Sequence, residues 1–145
     1  MAEEFSYREC HLEEAANLLA LWRKAGATVG VTDTVEDIQR VISHSAAIVL
    51  VAEQNGHIVG SLIATFDGWR GNLYRLAVDP DCRRQGLARN LVDEVDSRLA
   101  SMGVKRITAL VEKDHPLAVG FWNAQGYQLD QTIVRYVRNV APTNS

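Results

Sequence analysis

Leu76-Ala77-Val78-Asp79-Pro80-Asp81-Cys82-Arg83-Arg84-Gln85-Gly86-Leu87-Ala88-Arg89 is the stretch that decides the fold. Leu76, Ala77 and Val78 end an apolar strand, Asp79-Pro80-Asp81 breaks it, and a helix begins at Gly86 with a second small residue at Ala88. The first N–H groups of a helix have no acceptor within it, and the helix dipole is positive there. Small residues let an anion approach that backbone, and Arg83, Arg84 and Arg89 surround it with positive charge. The pattern reads as a phosphate site. An isolated Gly-x-Ala would signify no more than a strand-to-helix turn with surface arginines.

Outward from this stretch the pattern is regular. The helix extends from Gly86 to Met102, with Leu87, Leu91, Val95 and Leu99 on one face, and Gly103 stops it. Upstream, Leu73 to Val78 is a strand, preceded by a turn over Asp67-Gly68-Trp69-Arg70-Gly71-Asn72. Ala47 to Glu53 and His57 to Phe66 are apolar runs joined by Asn55-Gly56, whose two residues suit the positive φ of a tight hairpin. Nearer the start, Phe5 to Arg8 alternates as a short strand. Leu12 to Ala25 is an amphipathic helix carrying Leu18, Leu19, Leu21 and Trp22, and Gly26 ends it. Thr34 caps a shorter helix through Val41, with Asp37 placed to answer the cap. Downstream, Ile107 to Val111 is a strand, Pro116 to Ala124 a helix, and Tyr127 to Val140 supplies one or two final strands.

The order β-α-α-β-β-β-α-β-α-β(β) predicts an α/β fold. Its central sheet is mixed and mostly antiparallel, with helices on both faces. The unit from Leu73 to Val111 forms its parallel pair. The 145 residues predict one domain over residues 1–141 and a disordered tail over 142–145. A net charge of -3 argues against a nucleic-acid partner, and no apolar run is long enough to span a bilayer. The acidic start, Met1-Ala2-Glu3-Glu4-Phe5, is unlike a secretory signal, so the expectation is a cytoplasmic protein. Cys10 and Cys82 have no metal-site spacing and are expected to be free thiols, with no metal required.

The segment Arg83-Arg84-Gln85-Gly86-Leu87-Ala88, with Val78-Asp79-Pro80 before it, resembles the acyl-CoA signature of the GNAT N-acetyltransferase superfamily. Val49 to Gly60 resembles that superfamily's central hairpin. His115-Pro116-Leu117-Ala118-Val119-Gly120-Phe121-Trp122-Asn123-Ala124-Gln125-Gly126-Tyr127 resembles its C-terminal signature. Asp67 to Gly71 resembles a bacterial subgroup of small members. The resemblance implies an N-acetyltransferase that carries acetyl from acetyl-CoA to a primary amine by direct attack in a ternary complex. It implies that the backbone of Leu76, Ala77 and Val78 pairs with the pantetheine amides, on a strand splayed from its parallel neighbour. Arg83, Arg84, Gln85, Gly86, Leu87 and Ala88 would hold the pyrophosphate, and Arg84 and Arg89 would touch phosphate through their side chains. It also leaves room for a homodimer, since many relatives pair through a sheet edge or C-terminal strands.

Two positions depart from the resemblance. His115 stands where the signature has Asn, and Trp122 where it has the Tyr that often protonates the leaving thiolate. An indole N–H does not ionise usefully, so Trp122 is expected to be a packed aromatic lining the CoA channel. The candidate general bases are Glu112 and His115 first, because they follow the strand that faces the cofactor; Glu53, Asp67 and Asp114 come after them. Histidine is the side chain that exchanges protons near neutral pH. Tyr74, Tyr127 and Tyr136 are the candidates for a replacement acid, with Tyr127 also a core residue. The alternative function is a catalytically weak acyl-CoA sensor or scaffold. A nucleotide-binding domain is a weak third reading, because the chain lacks Gly-x-Gly-x-x-Gly and a Walker lysine.

Overall fold

The structure is a computed structural model that describes residues 4–113, 115 and 120–140. Strand β1 (Ser6–Glu9) leads through a 3-10 turn, Leu12–Glu14, into helix α1 (Ala15–Lys24). Helix α2 (Val35–Ile42) follows, capped as its sequence foretells: the Thr34 hydroxyl accepts the Asp37 N–H at 3.1 Å and donates to the Asp37 carboxylate at 2.9 Å. Strands β2 (Ala47–Gln54) and β3 (His57–Phe66) form the expected hairpin, with φ of 53° at Asn55 and 81° at Gly56. Strand β4 (Gly71–Val78), helix α3 (Leu87–Ser101), strand β5 (Ile107–Ala109) and helix α4 (Gly120–Ala124) complete the elements. The expected helix start at Pro116, the base candidate Asp114 and the tail 142–145 lie outside the described residues.

The sheet order is β1-β2-β3-β4-β5. The first three pairings are antiparallel and β4 with β5 is parallel, joined by α3. Alternation along β2 splits the core in two. Val49 and Val51 pack with Leu18, Leu21, Trp22 and Ile38 from α1 and α2. Leu50 and Ala52 pack with Leu87, Leu91, Val95 and Leu99 from α3, and with Trp122. Helices therefore cover both faces, as expected of this element order.

The end of the chain differs from expectation. Residues 127–140 form no strand, and no sixth strand occurs among the described residues. Their alternating apolar residues suit a strand, but a strand exists only through a ladder. Here Ile133, Val134, Tyr136 and Val137 are exposed. The chain is turned instead at Asp130, whose Oδ1 accepts the Thr132 N–H at 2.9 Å and the Thr132 hydroxyl at 2.6 Å.

Gly60 sets the distance between α3 and the sheet. A Cβ there would lie 2.3 Å from a Leu87 methyl carbon and 3.3 Å from both Ala52 Cβ and a Leu91 methyl carbon. Leu87 is the first residue of α3, so this contact also places the helix N-terminus. Gly60→Ala should lower stability by about 1–3 kcal/mol, the usual range for overpacking a core. Urea unfolding of the variant measures this, and unchanged stability would mean that α3 is not seated by Gly60.

Candidate active site

The site begins with a defect in β4. Ser61 faces Ala77 but Ile63 faces Tyr74, so β4 carries an extra residue, a β-bulge. Within it Arg75 has φ 56°, a left-handed conformation uncommon for a non-glycine residue. A buried hydrogen-bond chain fixes it. The Trp22 indole N–H donates to Ser61 Oγ at 2.9 Å, and the Ser61 hydroxyl donates to the Arg75 carbonyl at 2.9 Å.

Below the bulge β4 and β5 are paired from Gly71–Ile107 to Leu73–Ala109, and the Leu110 N–H donates to the Leu73 carbonyl at 3.0 Å. Above it the ladder stops. Leu76, Ala77 and Val78 face a cleft whose other wall is Leu110, Val111, Glu112 and His115, with Arg75, Arg83 and Trp122 also lining it. This is the parting of strands that the sequence resemblance implies. The β4 edge at Leu76 to Val78 has no ladder partner on the β5 side among the described residues.

At the upper end of the cleft the chain folds into a cradle of exposed backbone before α3. Pro80–Cys82 is one 3-10 turn, Arg84 and Gly86 both have positive φ, at 64° and 79°, and α3 starts at Leu87. No side chain caps α3, and its first backbone bond runs from the Asn90 N–H to the Gly86 carbonyl at 3.0 Å. The N–H groups of Leu87, Ala88 and Arg89 are thus left without helical acceptors. Arg83, Arg84, Gln85 and Gly86 are exposed, while the Leu87 side chain is in the core and offers only its backbone. Arg89 is exposed, 3.8 Å from Asp93 one turn on. Asp79 anchors the cradle, accepting from Lys24 Nζ at 2.8 Å and from the Asp81 N–H at 2.9 Å. Burial works against its charge, yet the Lys24 ammonium and the Asp81 N–H hold its carboxyl below the ordinary aspartate range.

The first-choice bases converge on the cleft. Glu112 Oε1 accepts the Thr28 N–H at 2.8 Å and lies 3.9 Å from Arg75 Nη1. His115 is half-buried, and its backbone N–H donates to the Glu112 carbonyl at 3.1 Å. The other candidates lie elsewhere. Glu53 pairs with Arg8 at 2.9 Å between β1 and β2. Asp67 sits in the β3–β4 turn at the opposite end of the sheet, where the N–H groups of Arg70 and Trp69 hold its carboxyl below the usual range. Trp122 is buried edge-to-face between Phe121 and Tyr127 and also reaches the cleft, which agrees with a packed aromatic at its wall. Burial pushes the Tyr127 phenol well up, and its 2.5 Å hydrogen bond to Asp96 pushes it further, so it is not poised to give a proton. Tyr136 is fully exposed and Tyr74 packs on the α1 side of the sheet.

The sequence reading missed Arg75 and Asp33. The signal available was a lone charge inside the apolar run Leu73 to Val78. Among the described residues no helix is long and apolar enough to cross a membrane, and no group of three His, Cys, Asp or Glu side chains could hold a metal.

Known proteins were compared with this site. The Acetyltransferase (GNAT) family model matches residues 7–127. A Yersinia pestis acetyltransferase is 31% identical over 122 residues, covering 84% of this chain and 86% of that one. The fold is shared with the PaiA N-acetyltransferase of Thermoplasma acidophilum in complex with coenzyme A, at TM-score 0.79 and 14% identity, over 88% of this chain and 91% of that one. It is also shared with the aminoglycoside 6'-N-acetyltransferase AAC(6')-Ih of Acinetobacter baumannii, at TM-score 0.75 and 16% identity, over 95% and 100%.

A Cβ on Gly86 would meet nothing within 4 Å, but its φ of 79° strains any other residue there, so Gly86→Glu, which places a negative charge in the cradle, is first shown to be folded by circular dichroism. Acetyl-CoA should raise the Tm of the parent protein, as any ligand selective for the native state must. Gly86→Glu should lose that rise. A folded variant with the full rise would put the phosphates elsewhere.

Proposed function

The chain belongs to the GNAT acetyltransferase family, and on that premise we propose that it is an N-acetyltransferase whose acetyl-CoA lies in the β4–β5 cleft and whose acceptor is a primary amine entering beside Glu112 and His115. One observation carries this reading. The bulge at Arg75 opens a cleft that runs from the uncapped N-terminus of α3 to the strand end bearing both base candidates. The solved structures that share the fold, an N-acetyltransferase in complex with coenzyme A and an aminoglycoside 6'-N-acetyltransferase, support it as analogies of fold.

On this reading the division of labour follows from the residue chemistry. The N–H groups from Gly86 to Arg89, with Arg83 and Arg84, meet the pyrophosphate. The free edge of Leu76 to Val78 pairs with the pantetheine amides as an added strand does. Acetyl-CoA supplies the activated acyl carbon. The amine adds to that carbon, the carbon–sulfur bond breaks with its electron pair on sulfur, and CoA leaves as the thiolate; the attached nitrogen gives up its second proton and the thiolate takes one up, both through water, with no acyl-enzyme. The proton lost by the ammonium goes to His115 or Glu112, directly or through water. Glu112 accepts the Thr28 N–H, and both it and His115 line the cleft wall.

Trp122 serves as a wall in this scheme. Trp122→Phe should therefore keep most turnover. A loss beyond about a thousandfold, or about 4 kcal/mol of barrier, in a folded variant that still binds acetyl-CoA would assign it a chemical role.

The amine attacks only when neutral. At pH 7, removing the proton costs about 4–5 kcal/mol for a lysine amine and only about 1–1.5 kcal/mol for an α-amine. Tyr127 is locked to Asp96 and Trp122 has no proton to give, so an acceptor of low pKa is the easier one. The expected acceptor is an α-amine. Amine-dependent release of CoA thiol tests it, with Nε-acetyl-lysine amide offering the α-amine and Nα-acetyl-lysine amide the ε-amine. Measured from pH 6 to 10, kcat/KM should favour the α-amine at pH 7. Preference for the ε-amine at pH 7 overturns the acceptor assignment, and no thiol release with any amine overturns the enzyme reading.

A further inference from the structure

The loop between α1 and α2 runs beside the cleft, and after Ala27, which packs on the core with Ala25, it has no apolar anchor. Thr28, Val29, Gly30, Val31 and Thr32 are all exposed, whereas the residue that closes the loop, Asp33, has a side chain only 5% exposed. A buried carboxylate needs a partner, and Asp33 has two. It accepts the Gly30 N–H at 2.5 Å and forms an ion pair with Arg75. Arg75 Nη2 also donates to the Thr28 carbonyl at 3.0 Å. The Thr28 N–H is held on its other side by Glu112, so the loop is strapped to both walls of the cleft, through Arg75 on β4 and Glu112 beyond β5.

Arg75 reaches that far because of its backbone. A residue in regular β conformation points its side chain to one face of the sheet, in strict alternation. The left-handed φ of Arg75 breaks that alternation in the bulge, and the guanidinium lies 5.3 Å from the centre of the Trp22 ring. Trp22 in turn fixes Ser61, and Ser61 fixes the Arg75 carbonyl. The main chain of Arg75 shapes the cofactor side of the cleft, and its side chain holds the loop over the opposite side.

We propose that Arg75, acting through Asp33 and Thr28, is a positioning residue for the acceptor: it holds the α1–α2 loop and Glu112 in the arrangement that admits the amine. The proposal rests on the acetyltransferase reading and deepens it. Arginine suits the task because its planar fork serves several acceptors at once, here the Thr28 carbonyl, the Asp33 carboxylate and, at 3.9 Å, Glu112. Lysine would restore the charge but not the fork.

The test uses the full chain and three variants, Arg75→Gln, Arg75→Lys and Asp33→Asn, with the better of the two lysine amides as acceptor. Arg75→Gln and Asp33→Asn should each raise the acceptor KM at least tenfold while the acetyl-CoA KM stays within twofold. Arg75→Lys should recover part of the loss. The double variant Arg75→Gln with Asp33→Asn should be no worse than the poorer single one, because the two residues act as one unit. Acceptor KM values within twofold of the parent overturn the proposal. So does an equal rise in both KM values with a fall in Tm, the mark of general loosening. Hydrogen exchange at the Thr28 and Gly30 amides reads the same strap without turnover. It should quicken at least tenfold in Arg75→Gln, and unchanged exchange overturns the proposal even if neither amide is acetylated, an outcome that by itself would count only against the acceptor assignment.

Discussion

The hydrogen-bond chain from the Trp22 indole through Ser61 to the Arg75 carbonyl is the interaction on which the rest of the structure depends. Ser61 is fully buried, so its hydroxyl must both receive and give a hydrogen bond or cost stability. It does both, and the second of these bonds ends on the one residue of β4 with a left-handed backbone. Without that bond the bulge would have to compete with a regular β3–β4 ladder. With it, β4 turns out of register after Leu73 and parts from β5. The cleft is thus a consequence of a serine on the neighbouring strand and a tryptophan on the helix behind it.

The cradle before α3, proposed to take the pyrophosphate, depends on a second, apolar constraint. α3 begins on Leu87, a residue packed into the space that Gly60 leaves open. Core packing therefore fixes the helix N-terminus, and the exposed turn before it adjusts to that position. Arg84 takes up a conformation that glycine would adopt more readily, and keeps its side chain in solvent. The turn from Arg83 to Gly86 is polar and exposed, but what holds it in register with the cleft is the core beneath.

The sequence showed those features that depend on neighbours in the chain. Asn55-Gly56 needs only its own φ preferences to make a hairpin, and Thr34 with Asp37 closes a cap three residues long. The four-residue spacing of Leu87, Leu91, Val95 and Leu99 gave the face of α3. The start of α3 just after Gly86 was legible because a helix start is itself local. The bulge was not, since the run from Leu73 to Val78 alternates the same way with or without a slip in register. The strap was not, since Arg75 and Asp33 are 42 residues apart and their meeting requires the whole α1 side of the sheet. The last strand was misread for the opposite reason: the segment from Tyr127 to Val140 has the local pattern of a strand and lacks the partner that would make it one.

The absence of a poised acid weighs less on the proposed reaction than it first suggests. Trp122 has no proton to give, and Tyr127 is locked to Asp96. A thiol of ordinary pKa near 8.5 leaves as the thiolate at pH 7 at a cost of about 2 kcal/mol. A lysine amine must first lose a proton at more than twice that cost, whereas an α-amine loses it for less. For a lysine amine the demanding proton is thus the one on the acceptor, while for an α-amine the two costs are comparable; Glu112 and His115, the groups proposed to take the acceptor's proton, line the same wall of the cleft. Glu112 is bound to the loop that Arg75 holds. On the proposed reading, such a site places its selectivity in the strap over the acceptor and little of it in the departure of CoA, in keeping with a buried, packed Trp122.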